Sequence, residues 1–117
     1  MNSLDIAEPV SLVRLITYPE KYDGKRIMVI GYLHLEFESD AVYLHKQDND
    51  NDLSKNGFWV NFSETLTKVI NPSHYNDKYV LLIGTFDFNH KGHMDMYGGT
   101  LRNITWIYEW GLWKKAN

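Results

Sequence analysis

The segment PEKYDGKRIMVIG at positions 19–31 returns as PSHYNDKYVLLIG at positions 72–84. Pro19/Pro72, Tyr22/Tyr75, Lys25/Lys78, Ile30/Ile83 and Gly31/Gly84 are identical at an offset of 53 residues. A repeat of this kind can mark a solenoid, but a solenoid needs at least three units to bury its core. Two copies in a chain of 117 residues, a length that suits one domain, point elsewhere. Each copy reads as a turn that launches a strand. In the first, Asp23 can bond its own backbone and Gly24 accepts a positive φ without steric cost. Each strand then meets a glycine, Gly31 or Gly84, and a glycine inside a strand marks a bulge or a sharp bend. One device, used twice, starts two long bent strands.

The remaining pattern supplies the other elements. Ser11 can cap a short helix, Leu12–Tyr18, with Leu12, Leu15 and Ile16 on one face. Pro19 ends it. A strand is predicted over Arg26–Glu38, with Ile27, Val29, Leu33, Leu35 and Phe37 on one side. Met28, Ile30, Tyr32, His34, Glu36 and Glu38 fall on the other. Ser39-Asp40 turns into a second strand, Ala41–Lys46, making a hairpin. A polar, acidic loop follows at 47–56. Gly57–Phe62 is the third strand and Glu64–Ile70 a second helix. The fourth strand is Lys78–Asn89, and a glycine-bearing loop, His90–Gly99, leads to the fifth, Thr100–Tyr108. Positions 1–9 form an N-terminal arm and 109–117 a C-terminal tail. Five strands, the first long and bent, with a helix between the third and fourth, predict a mainly β fold with short helices: a single-domain, five-stranded OB-like Greek-key barrel.

Composition sets the classes to consider. The 44% hydrophobic share provides one core, and aromatics at 15% are plentiful. With no cysteine, disulfides, thiolate catalysis and cysteine-ligated zinc are excluded. The start, MNSLDIAEPVSLVRL, lacks a basic region followed by a long apolar run, and no stretch reaches the ~18 apolar residues of a membrane span. A cytoplasmic protein away from membranes is expected. The net charge of −3 opposes nucleic-acid binding, which draws much of its affinity from phosphate contacts, and suits a basic protein partner.

PEKYDGKRIMVIGYLHLEFE and GTLRNITWI resemble stretches of a group of small bacterial proteins assigned to OB-like folds. The resemblance covers roughly positions 10–107. It implies the same barrel. Small β-rich proteins of this kind include immunity proteins that neutralise toxins passed between bacteria, so it also implies a toxin-binding role.

The candidate chemistry is sparse. His90-Lys91-Gly92-His93 pairs two histidines without a third ligand, whereas zinc wants three or four; no metal and no cofactor are expected. His34, Glu36 and His45 could share the outer face of the hairpin as an acid–base trio, but cross-strand pairing explains them as well. Asp48-Asn49-Asp50-Asn51-Asp52 fails as a calcium loop, because Leu53 and Trp59 stand where Gly and Glu are required. No nucleophile elbow or phosphate-cradling loop occurs, and a non-enzyme is predicted. The aromatics Tyr32, Tyr43, Trp59, Tyr97 and Trp106 could stack bases on a barrel face or anchor a protein interface. Tyr32 and Tyr43 lie near Glu36, Glu38 and Asp40 rather than near lysines. The expected partner surface therefore joins Tyr32, Tyr43 and Trp59 to Glu36, Glu38, Asp40, Asp48, Asp50 and Asp52. It would meet a basic protein, for example a toxin nuclease whose phosphate site the carboxylates mimic. The alternative is an OB module for single-stranded nucleic acid.

Overall fold

The computed structural model describes residues 7–115. Its elements are β1 (Glu8–Pro9), α1 (Leu12–Thr17), β2 (Arg26–His34), β3 (Ala41–Tyr43), α2 (Lys46–Asp50), β4 (Gly57–Phe62), α3 (Glu64–Thr67), β5 (Lys78–Asp87), β6 (Thr100–Glu109) and α4 (Leu112–Lys115). Strands β2, β3, β4, β6 and β5 pair in that order, and β5 returns to β2 to close the barrel. All these pairs are antiparallel except β4–β6. This is the predicted five-stranded OB-like Greek-key barrel, with β1 added in parallel outside β2. Ser63 caps α3 by accepting from the Leu66 N–H at 3.1 Å, and Leu66 enters the core with Ile27, Val29, Leu33, Phe58, Val80, Leu82, Phe86 and Ile104.

The repeat explains the long β2–β5 seam. Its register sets Val29 opposite Leu82, and Leu82 is Val29's own counterpart at the 53-residue offset. A local two-fold axis therefore passes through that pair. Each Pro-x-x-Tyr segment forms a 3-10 turn, Pro19–Tyr22 and Pro72–Tyr75. The second residue after the turn takes a left-handed backbone in both copies, Gly24 at φ 78° and Asp77 at φ 58°. Each turn then seals the far end of the other copy's strand. Gly24 N–H donates to Phe86 C=O and Asp77 N–H to Leu33 C=O, both at 2.8 Å. Asp23 accepts from Phe88 N–H at 2.9 Å, and Asn76 accepts from Leu35 N–H at 2.7 Å. The strand-end amides, which would otherwise lack partners, are satisfied by side chains of the opposite copy.

The two strand glycines also exchange places across the axis: Gly31 faces Val80 and Gly84 faces Ile27. Both are sites of close approach. A Cβ on Gly31 would lie 2.7 Å from Tyr43 O and 2.6 Å from Leu12 Cδ1, and one on Gly84 would lie 2.9 Å from Arg102 O.

Several boundaries differ from the sequence reading. Strand β2 stops at His34 instead of Glu38, because Asn76 takes the Leu35 amide. Phe37, expected on the inner side, is 91% exposed. Strand β3 stops at Tyr43 instead of Lys46, and the expected acidic loop begins with a helical turn, Lys46–Asp50. The cause is Asp48, whose carboxylate accepts from His45 N–H at 2.8 Å and Asn56 Nδ2 at 3.0 Å. Helix α3 ends at Thr67, β5 at Asp87 and β6 at Glu109. Within the arm at 1–9, residues 1–6 lie outside the described residues, as do 116–117 of the tail; Glu8–Pro9 pairs with Ile27–Met28. Among the described residues no helix is long and apolar enough to cross a membrane.

The outward rows of β2, β5 and β6 form an apolar wall. Pairing places Met28 beside Ile83 and Trp106, and Ile30 beside Leu81 and Tyr108. Tyr32 lies beside Tyr79, whose C=O accepts from Trp110 N–H.

Candidate functional site

The outer face of β3 and β4 is covered by the chain itself. Tyr97, in the β5–β6 connection, is 2% exposed. Its ring lies 5.7 Å from Trp59 in an edge-on contact and 6.3 Å from Tyr43. Its hydroxyl is 2.8 Å from Ser39 Oγ and 3.4 Å from the Tyr43 hydroxyl. Gly92 rests on the Trp59 indole so closely that a Cβ there would fall 2.5 Å from the ring. Tyr43, Trp59, Tyr97 and Ala41 thus form a second small core. Beside it remains a cleft of about 470 Å³, lined among others by Trp59, Asn61, Asp87, Lys91 and Arg102. Asp87 organises its wall: it accepts from His90 Nδ1 at 2.7 Å and lies 3.7 Å from Arg102 Nε. Burial opposes ionisation of Asp87, but His90, the Asn89 amide and Arg102 outweigh it and hold its pKa down.

The acidic candidates divide into structural and surface groups. Asp48 is buried and holds α2 in place. Asp50 pairs with Lys46 at 2.8 Å. Asp52 sits exposed at φ 55°, where Asp is among the few side chains that fit. Glu36 and Glu38 are exposed at the β2–β3 tip. Asp40 accepts from Glu36 N–H at 3.1 Å, and burial moves its pKa up. Carboxylates of both segments act on the hairpin tyrosines. Burial raises the Tyr43 phenol, with Tyr97, Glu36 and Asp52 adding to the effect. Burial likewise pushes Tyr32 up to about 12, reinforced by Asp77, Asp50 and Tyr79. Tyr32 and Tyr43 themselves are buried, packed against Tyr79 and Tyr97 respectively.

His34 finds a partner that was not anticipated. Its Nδ1 lies 2.6 Å from Asp77 Oδ1 and its Nε2 3.5 Å from Glu36 Oε2. Tyr32 donates to the same Asp77 oxygen at 3.1 Å. Burial works against the His34 cation, yet the two carboxylates outweigh it and raise its pKa. The hydrogen bond from His34 in turn lowers that of Asp77. His45 pairs instead with Asp48 at 4.0 Å. The repeat held the clue to Asp77: it occupies the place of Gly24, a turn position where glycine is the easy choice. His90 and His93 stand in the β5–β6 connection, and among the described residues no three His, Asp or Glu gather to hold a metal ion.

No family model, curated protein or solved structure matches the chain.

Proposed function

We propose that the protein is a non-enzymatic binding module that docks a basic protein partner through the carboxylate rim formed by Glu36, Glu38, Asp40, Asp50 and Asp52. The observation that carries this reading is the exposure of Glu36, Glu38 and Asp52 on the two segments that flank the three-residue strand β3, with the tip held by Asp40, which accepts from Glu36 N–H at 3.1 Å. Like charges held together at the surface raise the local potential and speed encounter with an opposite one. The seat of Tyr97 on Tyr43 and Trp59 weighs in the same direction, because it fills the face where bases would stack on an open barrel. The most specific form of the proposal is an immunity role: the rim occupies the phosphate-binding site of a toxin nuclease. Such a partner would be met in the cytoplasm.

The test is a pull-down with wild-type protein, followed by stopped-flow association of the captured basic protein. Glu36→Gln, Glu38→Gln, Asp50→Asn and Asp52→Asn combined should slow association at low salt and leave thermal stability in place. Added wild-type protein should suppress any nuclease activity of the partner. Equal association rates for wild type and variant across salt would overturn the rim. Micromolar binding of single-stranded DNA or RNA at physiological salt, lost on Trp59→Ala, would favour a nucleic-acid module instead.

A further inference from the structure

The wall of β2, β5 and β6 leaves large apolar side chains in water. Ile30, Tyr79, Trp106, Tyr108 and Trp110 are each 37–44% exposed. Monomeric proteins seldom expose a contiguous apolar patch above a few hundred Å², and Trp and Tyr are the residues that dominate interface energetics. From Arg26 to His34 the wall runs roughly 26 Å along β2, and three strands with their side chains span roughly 15–20 Å. The resulting plane of about 400–500 Å², roughened by aromatic side chains, is rather more than half of the ~800 Å² that each partner gives to a standard interface, which suits a weak, concentration-dependent pairing.

The charges at the two ends of the wall name the occupant. At one end stands Arg26, whose guanidinium donates to neutral acceptors: Thr85 Oγ1 at 3.3 Å, Asn103 C=O at 2.7 Å and Thr105 Oγ1. At the other end stands Asp77, half exposed, with His34. Register makes these ends equidistant from the middle. Ile30 pairs with Leu81; Arg26 lies four residues before Ile30, and Asp77 four residues before Leu81 on the antiparallel strand. A two-fold axis through the Ile30–Leu81 pair would carry the cationic end of one copy onto the acidic end of the other, each roughly 13 Å from the axis. An isologous interface demands a surface complementary to itself, and this wall is apolar in the middle with opposite charges at its ends. We propose that the wall is a homodimer interface, with a second copy docked face to face about that axis. The acidic end adjoins the carboxylate rim, since His34 also lies 3.5 Å from Glu36, but the proposal does not rest on the function assigned to that rim.

Sedimentation velocity and light scattering on the full chain from about 1 to 500 µM decide the matter. The expected mass is twice 13.8 kDa at the upper concentrations. Trp106→Lys and Tyr108→Lys, both at exposed positions, should give a monomer with an unchanged circular dichroism spectrum. Arg26→Glu and Asp77→Lys should each weaken the dimer at least tenfold. The double exchange should restore it to within about threefold, which neither a folding defect nor a generic loss of charge would do. A monomer throughout the range overturns the proposal. A dimer indifferent to Trp106→Lys and Tyr108→Lys also overturns it, and so does a charge exchange that restores nothing.

Discussion

Val29 lies opposite Leu82, the residue that occupies its own place in the second copy of the repeat. That single pairing makes the two copies reciprocal. The carboxylate of Asp23 closes the end of β5, and the amide of Asn76 closes the end of β2. Asp23→Ala and Asn76→Ala should each cost about 0.5–1.5 kcal/mol, the usual net worth of one hydrogen bond. The two caps act at opposite ends of the seam, so the double variant should show nearly the sum. Urea titration reads this directly; strong non-additivity would mean the ends are not independent.

The strand glycines should be less forgiving. Gly31→Ala pushes a methyl toward the Tyr43 carbonyl at 2.7 Å, which is backbone and cannot swing aside. A loss of about 2–3 kcal/mol is expected, at the upper end for overpacking. Gly84→Ala meets its nearest atoms at 2.9–3.0 Å and should cost less, about 1–2 kcal/mol. Midpoints of urea unfolding rank the two; the opposite order would contradict the packing described.

The His34–Asp77 pair predicts a window of pH. His34 has a raised pKa, so its contribution is complete below the free histidine value of 6.5 and is lost as pH rises through the native one. Asp77 has a lowered pKa, so its contribution is complete above the free value of 3.8 and is lost as pH falls through the native one. Both hold between roughly pH 4 and 6.5. The pair is half exposed on the Asp77 side, and screening keeps its worth under about 1 kcal/mol. His34→Gln should therefore lower Tm by about 2–4 °C at pH 5 and by less at pH 8. A gap that does not change with pH would show that the ion pair contributes nothing.

The acidic segment should split by residue. Asp48→Ala leaves the His45 amide and the Asn56 side chain without their acceptor, at a cost of about 1–3 kcal/mol. Asp50→Asn and Asp52→Asn should stay within about ±0.5 kcal/mol, as exposed charges do. Thermal melts of the three single variants suffice, and an equal loss in all three would erase the distinction between structural and surface carboxylates.

The legible part of the sequence was local. The repeated turn, the strand glycines, the Ser11 and Ser63 caps and the alternation of β2 each depend on residues a few positions apart, and they were enough to place five strands and name the barrel. Tertiary structure decided what local pattern cannot reach. Asp48 reads as one carboxylate among several until Asn56 folds over it. Tyr43 and Trp59 read as an open aromatic face until Tyr97, far along the chain, settles on them. Phe37 reads as an inner residue until Asn76, from the other copy, takes the Leu35 amide and ends the strand early. Alternation is written into neighbouring residues, because a strand has period two. Burial and partnership depend on which distant side chain arrives to exclude water or accept a hydrogen bond, and that is set only when the barrel closes.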